Sequence, residues 1–214
     1  MTSDRETEGT DRKRSSDGRN PNDTARANLG GLASTLETYI KAGYPILYVV
    51  TPEEERALDI ICEMLERSSL KRTPYFWSVS RGLCAMDYKP VNPGKRAEPT
   101  QILPFLEQFE EPGVFILEDF HFFLDERSKG APVIIRQLRD LVRPFTSSPK
   151  TLVLLSPVLK IPPELEKDVT VVDLDLPDEA ALLKTLDDAI EEARNADGVQ
   201  INLAKGDRER MVQA

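Results

Sequence analysis

The fold of this chain is decided by the stretch YPILYVV (residues 44–50), which runs directly into TPEEERALDIICEML (residues 51–65). The first part is an apolar run rich in β-branched residues, which is typical of a parallel strand buried on both faces. The second part predicts a helix, with Thr51 as N-cap, Pro52 at the first helical position and Glu54 completing a capping box. Apolar residues then recur at helical spacing: Ala57, Leu58, Ile61, Met64 and Leu65. A strand followed at once by an amphipathic helix indicates an α/β protein.

The turn between this strand and this helix is where many α/β proteins bind nucleotide phosphates, because free amides and the helix dipole converge there. The phosphate-binding loop of nucleoside triphosphatases supplies glycines, a lysine and a hydroxyl group at this turn. Here the turn has no glycine, and the helix opens with Glu53, Glu54 and Glu55. These carboxylates would occupy the positive end of the helix and repel a polyphosphate. The sequence therefore predicts a nucleotide-binding type of fold without the phosphate-binding loop at its first strand.

The rest of the chain alternates strands and helices. Further strands are predicted at residues 75–79, 113–120, 151–155 and 170–174, and further helices at residues 34–42, 100–109 and 132–145, with a short one from residue 162 and a long one from residue 177. The first of these helices would begin with a capping box formed by Ser34 and Glu37. This alternation predicts a five-stranded, doubly wound parallel sheet.

The chain divides into three regions by composition. Residues 1–30 carry almost no large apolar side chains and are predicted to form a disordered tail. Residues 31–176 would form the α/β domain, and residues 177–214 a helical segment. Because the last predicted helix has no closing glycine or proline, we expect the chain to be a fragment of something longer.

Composition excludes several classes of function. The net charge is −9 and the isoelectric point is near 4.8, which argues against nonspecific binding to nucleic acid or to an anionic membrane. No apolar run approaches the roughly 20 residues that span a bilayer. Only Cys62 and Cys84 are present, which makes a disulfide framework unexpected and favours a reducing, cytoplasmic compartment.

The strongest candidate for chemistry is ILEDF (residues 116–120), in which Glu118 and Asp119 end a predicted strand. Adjacent carboxylates at the rim of a parallel sheet suit Mg²⁺ and the polarisation of water. Alternatively, they terminate the strand and cap the next turn, and the missing phosphate-binding loop favours this interpretation. Ser156, at the end of the fourth predicted strand, occupies the place of a γ-phosphate sensor, but a turn-forming serine before proline explains it equally well.

Other polar residues give weaker indications. Arg136, Arg139 and Arg143 form a basic stripe on the outer face of one predicted helix, which is typical of a solvated face and less often of a subunit or nucleic-acid contact. His121 is the only histidine, and it has no cysteine or second histidine nearby to complete a metal site. Arg81 follows the second predicted strand, on the rim where α/β sites form.

Several segments together resemble one family: KAGYPILYVVTPEEERAL, YFWSVSRGL, GVFILEDFHFFL, KTLVLLSPVLKIPPELEKDVTVVDLDLPD and KGDRERMVQA. Over residues 32–214 the chain is similar to the N-terminal region of hypothetical AAA-domain proteins encoded in cyanobacteria, other bacteria and algal plastids. The resemblance implies a degenerate AAA+ core that leads into the start of a helical lid at residues 177–214. It also implies a working AAA+ module beyond residue 214 that binds ATP and Mg²⁺, and a location in the plastid stroma if the chain is of algal origin.

The resemblance does not transfer an ATP-binding residue onto this chain. The Gly-Lys-Thr loop is absent, and no arginine stands just before the fifth strand, where a trans-acting finger would be expected. The chain itself is therefore predicted to bind no cofactor or metal ion.

Three functions follow as hypotheses. The first is a non-catalytic regulatory or assembly domain that docks on the ATPase module of the same protein or on neighbouring subunits. The second is a Mg²⁺-dependent phosphohydrolase that uses Glu118 and Asp119. The third is a stand-alone adaptor that binds an unidentified protein through the arginine stripe and the loop at residues 84–99.

Overall fold

The computed structural model describes residues 31–87, 89–91, 98–125, 127–174, 179–195 and 206–212. The helices are α1 (Leu32–Lys41), α2 (Glu54–Arg67), α3 (Pro99–Gln108), α4 (Ala131–Thr146), α5 (Glu179–Asn195) and α6 (Asp207–Val212). The strands are β1 (Ile46–Val50), β2 (Thr73–Ser78), β3 (Gly82–Cys84), β4 (Gly113–Glu118), β5 (Lys150–Ser156) and β6 (Val169–Asp173). Short 3₁₀ turns cover Phe120–Leu124 and Pro163–Leu165. The predicted disordered tail lies outside the described residues.

The strands form one sheet in the order β3-β2-β4-β5-β1-β6. All five predicted strands are present and pair in parallel, which confirms the predicted α/β class. The predicted number of strands is one too few, because β3 adds antiparallel to β2 through a tight turn. β3 has only three residues, too few to show a periodicity, and it begins at Gly82 with φ 73°, a conformation that favours glycine.

Helices cover both faces of the sheet. α1 and α2 pack on the face that carries Leu47, Val49, Phe76, Val114, Ile116, Val153 and Leu155. α3 and α4 pack on the face that carries Tyr48, Tyr75, Trp77, Phe115, Leu117, Leu152 and Leu154. Alternate residues of each central strand therefore enter opposite cores, which explains why the strands read as continuous apolar runs.

Both predicted capping boxes are wrong in detail. α2 begins at Glu54, with Glu53 rather than Thr51 as the N-cap. Thr51 instead continues the ladder of β1, since its amide donates to the Ser156 carbonyl at 3.0 Å. α1 begins at Leu32 with Gly31 as N-cap, so Ser34 lies inside the helix.

Beyond β6, α5 and α6 contact each other through an ion pair between Arg208 and Asp187, at 3.2 Å. Ile190 is the buried apolar side chain of α5 among those described. These helices occupy the region in which the resemblance implies the start of a lid. No helix in the described ranges is both long enough and apolar enough to cross a membrane.

Candidate functional site at the carboxyl edge of the sheet

Three adjacent strands end together and bring the predicted site residues to one edge of the sheet. β4 ends at Glu118, β5 at Ser156, and β1 continues into Thr51. The ladder runs one residue past the strands, because the Asp119 amide donates to the Leu155 carbonyl at 2.9 Å. Glu118, Asp119 and Ser156 therefore lie at one end of the sheet, where parallel α/β proteins place ligands.

Glu118 is a buried carboxylate held by one arginine. Its residue is 5% exposed, and its Oε2 lies 3.1 Å from Nη2 of Arg81 in the turn between β2 and β3. Burial raises the pKa of Glu118; Arg81 opposes that rise, and the charges of Glu54 and Asp119 add to it. The sequence identified Arg81 as a rim residue, but its partner depends on the short hairpin that only the structure shows.

Glu54, in the first turn of α2, faces the same group. Burial raises the pKa of Glu54, the Asp119 charge raises it further, and Arg81 lowers it. Glu53, just before α2, is paired with Arg56. Carboxylates from β4 and α2 thus meet around Arg81, at the place where a nucleotide-binding protein would set its phosphates.

Asp119 redirects the chain after β4. Its φ of 55° is left-handed, a conformation that Asp and Asn tolerate better than most residues, and it leads into the 3₁₀ turn. The Oδ1 of Asp119 lies 3.7 Å from Nδ1 of His121, whose ring contacts that of Phe122 with centroids 4.0 Å apart. The side chain of Asp119 is 54% exposed, whereas that of His121 is 9% exposed.

Ser156 is 2% exposed, and its hydroxyl interacts with that of Tyr48, which opposes the rise that burial causes in the pKa of Tyr48. At the position predicted for a phosphate sensor, the hydroxyl is enclosed by the protein. Trp77, on β2, is fully buried against Phe120 and Phe123 and is part of the core.

The predicted arginine stripe lies on the exposed side of α4. Arg136 pairs with Asp140 one turn along the helix, and Arg139 lies 3.8 Å from Asp168. Arg143 is exposed. Two of the three guanidinium groups therefore have acidic neighbours within the domain. Much of the loop at residues 84–99, the other predicted adaptor surface, lies outside the described residues.

Within the described part of the chain, no group of three or more His, Cys, Asp or Glu side chains is arranged to hold a metal ion. Glu118 and Asp119 are consecutive, but one is buried on Arg81 and the other turns outward.

The described residues form an α/β domain with a mostly parallel, doubly wound sheet, in which an acidic residue ends a central strand. Two solved structures share the fold. One, titled as a DNA replication initiation factor, has a TM-score of 0.51 and 11% identity over 84% of this chain and 54% of that one. The other, Thermotoga maritima RuvB T158V, has a TM-score of 0.50 and 13% identity over 87% of this chain and 55% of that one.

The chain belongs to the family described as "SpoVK-like AAA ATPase, N-terminal domain", whose family model matches residues 32–174. It is 33% identical over 150 residues to the proteins named "Uncharacterized AAA domain-containing protein ycf46" of Guillardia theta and of Trieres chinensis. These matches cover 69% of this chain and 28% of each relative, so the matched region is a minor part of the relatives' length. The resemblance to AAA-domain proteins of algal plastids is confirmed.

Proposed function

We propose that this chain is a non-catalytic regulatory or assembly domain of an AAA+ ATPase. In this proposal ATP and Mg²⁺ bind a separate module of the parent protein, and the present domain docks on that module or on neighbouring subunits. The family supports the proposal, because its name describes an N-terminal domain and because relatives at 33% identity are much longer than the matched region. We place the protein in the cytoplasm, or in the plastid stroma if it is algal.

The observation that carries the proposal is that the turn between β1 and α2 has two of its amides hydrogen-bonded within the domain and carboxylates beside it. Two of its amides are already used: that of Thr51 donates to the Ser156 carbonyl, and that of Glu53 donates to Oγ1 of Thr51 at 3.0 Å. Glu54 and Glu118 add negative charge beside it, with Arg81 between them. These two amides would not be free to bind a triphosphate, and its charge would be added beside carboxylates whose pKa values are already raised.

The two alternative functions receive less support from the same contacts. A phosphohydrolase would need Glu118 to hold a metal ion or water, but its carboxylate is bound to Arg81. An adaptor surface on α4 would have to compete with the ion pairs of Arg136 and Arg139 inside the domain.

Isothermal titration of the full chain with Mg²⁺ and ATP tests the first half of the proposal. We expect no binding heat at 1 mM ATP, a concentration that would saturate a site of about 10 μM affinity. Micromolar binding would refute the proposal, and phosphate release that Asp119→Asn abolishes would favour the phosphohydrolase.

The proposed docking on an ATPase module is tested by mixing the two as separate proteins. The purified chain is added to the ATPase module of a ycf46-type relative, and both the ATPase rate and the assembly size are measured. We expect one or both to change in a saturable way. If neither changes, the regulatory role is wrong; if the change vanishes with Arg139→Glu, the α4 stripe is the contact surface.

A further inference from the structure

The loops that follow the carboxyl ends of β4 and β5 enclose a recess of about 420 Å³. A volume of this size lies within the range of ligand sites in proteins. The recess is lined by two cations, Arg127 and Lys160, by one acid, Asp125, and by apolar residues that include Leu124 and Ile161. It shares no lining residue with the acidic group around Arg81, so it is a second candidate site.

The core holds the two loops in place. Tyr48, fully buried on β1, donates from its hydroxyl to the Val158 carbonyl at 2.8 Å and accepts from the Lys160 amide at 3.3 Å. Oδ2 of Asp125 forms an ion pair with Nζ of Lys160 and thereby joins one loop to the other. Oδ1 of Asp125 accepts from the Arg127 amide at 2.9 Å. Contacts within the domain therefore fix the walls of the recess.

The side chains of the recess still have donors to offer, whereas their acceptors are used. Both oxygens of Asp125 accept hydrogen bonds within the domain, and the contact with Lys160 lowers the pKa of this carboxyl group. Lys160 uses one of its three N–H groups for that contact. The exposed guanidinium of Arg127 has no hydrogen bond or ion pair with a described residue. The recess is therefore complementary to an anion.

A carboxylate on an aliphatic stem suits this recess better than a phosphate group. Phosphates are usually bound by several backbone amides. Two of the lining residues, Pro162 and Pro163, have no amide N–H. The amides of Arg127 and Lys160 already donate within the domain. A carboxylate brings a single charge next to Asp125, matches the fork of Arg127, and its methylene groups can pack on the apolar part of the wall.

We propose that Arg127 and Lys160 form a receptor for a glutamate or aspartate side chain that the docked ATPase module presents to this recess. The carboxylate accepts from the guanidinium of Arg127 and from Nζ of Lys160, and its stem packs on Leu124 and Ile161. The overall charge of −9 opposes the approach of free acidic molecules, so the acidic segment is one that docking brings close. This inference rests on the proposed docking function and identifies one contact that the docked partner makes.

The first test uses the full chain, without nucleotide, and three N-acetylated tripeptide amides: Leu-Glu-Leu, Leu-Gln-Leu and Leu-phosphoserine-Leu. The amide chemical shifts of Arg127, Lys160 and Ile161 are followed by NMR. We expect saturable shifts with the glutamate peptide and about tenfold weaker binding of the uncharged glutamine peptide. Equal binding of these two peptides, or no saturable shift, would overturn the proposal. Phosphoserine that binds more than about tenfold tighter than glutamate would contradict the assignment to a carboxylate.

Variants distinguish the recess from general charge attraction. Arg127→Gln should weaken binding of the glutamate peptide about tenfold, because it removes the charged fork. Lys129→Gln removes an equal charge two residues along the chain, outside the recess, and should change binding by less than about twofold. Both residues are exposed, so neither change should disturb the fold. Equal effects of the two variants would show that the recess is not the binding site.

The same variants separate this receptor from the docking function. Where the wild-type chain changes the ATPase rate or the assembly size of the added module, Arg127→Gln should need about tenfold more protein for half of the effect, and Lys129→Gln should not. An unaltered response to Arg127→Gln would reject the receptor and leave the regulatory proposal standing. If the wild-type chain gives no response, the docking function is wrong, and the peptide titration still decides whether the recess binds a carboxylate.

Discussion

Both ends of the sheet hold buried charged side chains, but these side chains have different kinds of partner at the two ends. At the amino end Lys150, 7% exposed, donates to the carbonyl oxygens of Leu106, Glu107 and Phe109 at 3.0, 2.8 and 3.1 Å. These carbonyls lie at the end of α3, which has no basic residue of its own in the last turn. Arg72 likewise donates to the hydroxyl of Thr151 at 2.8 Å. The amino end is therefore closed by contacts within the domain.

At the carboxyl end, Glu54, Glu118 and Asp119 gather around Arg81, and Nδ1 of the buried His121 lies 3.7 Å from Oδ1 of Asp119. Unlike Lys150, Glu118 has one cation beside it and two further carboxylates, those of Glu54 and Asp119, whose charges raise its pKa. The difference indicates which end is built for stability and which is available for a ligand, and four predictions test it.

The largest effect is expected from Lys150→Met, which leaves three carbonyls at the end of α3 without their donor. Each charge-assisted hydrogen bond contributes roughly 1.5–3 kcal/mol and part of the loss is recovered by water, so we expect a loss of about 3 kcal/mol in the free energy of unfolding. Urea denaturation measures it. The exposed Lys129→Met is the matched control and should change stability by less than about 0.5 kcal/mol. Equal effects of the two would remove the contrast between the ends.

Arg81→Met should cost less, about 2 kcal/mol at pH 7, because it leaves the buried Glu118 carboxylate without its cation while Arg81 itself is 51% exposed. The double variant Arg81→Met/Glu118→Gln should recover most of this loss, because the unpaired charge is then gone. A double-mutant cycle, with free energies of unfolding from urea denaturation, gives the coupling free energy between Arg81 and Glu118. If the effects of the two single changes simply add, Arg81 does not stabilise the domain through Glu118.

Glu118→Gln should change how stability depends on pH. An acid whose pKa is raised in the folded state binds more protons there than in the unfolded chain, so its contribution to stability is lost as pH rises through the raised pKa. Above pH 4.5, the ordinary value, the wild type should therefore lose stability relative to Glu118→Gln as pH rises.

The measurement for this prediction is a series of urea denaturations between pH 4 and pH 8. Other carboxyl groups, such as those of Glu37 and Asp125, have lowered pKa values and act in the opposite direction, so only the difference between the two proteins is informative. Glu166→Gln, an exposed change, should give a profile parallel to the wild type. A parallel profile for Glu118→Gln would show that the buried carboxylate does not titrate as described.

The sequence predicted the sheet well because its central strands are continuous apolar runs. The ranges predicted from YPILYVV, GVFILEDF and TLVLL lie within one or two residues of β1, β4 and β5. It missed β3, which is held by pairing with β2 rather than by a pattern of its own. The sequence also misplaced the start of α2. The amide of Thr51 donates to the Ser156 carbonyl on β5, and a capping pattern does not reveal such a tertiary contact.

The residues of the candidate site were predictable, but their arrangement was not. Glu118, Asp119, Ser156 and Arg81 were identified from their positions after strands, and the structure places all four at the carboxyl edge. The Arg81–Glu118 contact depends on the turn between β2 and β3, and the left-handed φ of Asp119 has no signal in the sequence. The only available signal for His121 was its place two residues after the acidic pair, which the sequence gives no reason to prefer.

The smallest effect on stability is expected from Asp119→Asn, and that small effect is informative. Asn tolerates a φ of 55° as Asp does, and the side chain is half exposed, so the free energy of unfolding should change by less than about 0.5 kcal/mol. Asp119→Val, with a β-branched residue forced into the same conformation, should cost about 1–2 kcal/mol and serves as the control for the backbone. If the charge of Asp119 can be removed without loss of stability, that charge is not required for folding. The charge of Lys150, at the amino end, is expected to be required. If Asp119→Asn instead destabilised the domain as much as Lys150→Met, Asp119 would be part of the scaffold, and the two ends of the sheet would not differ in kind.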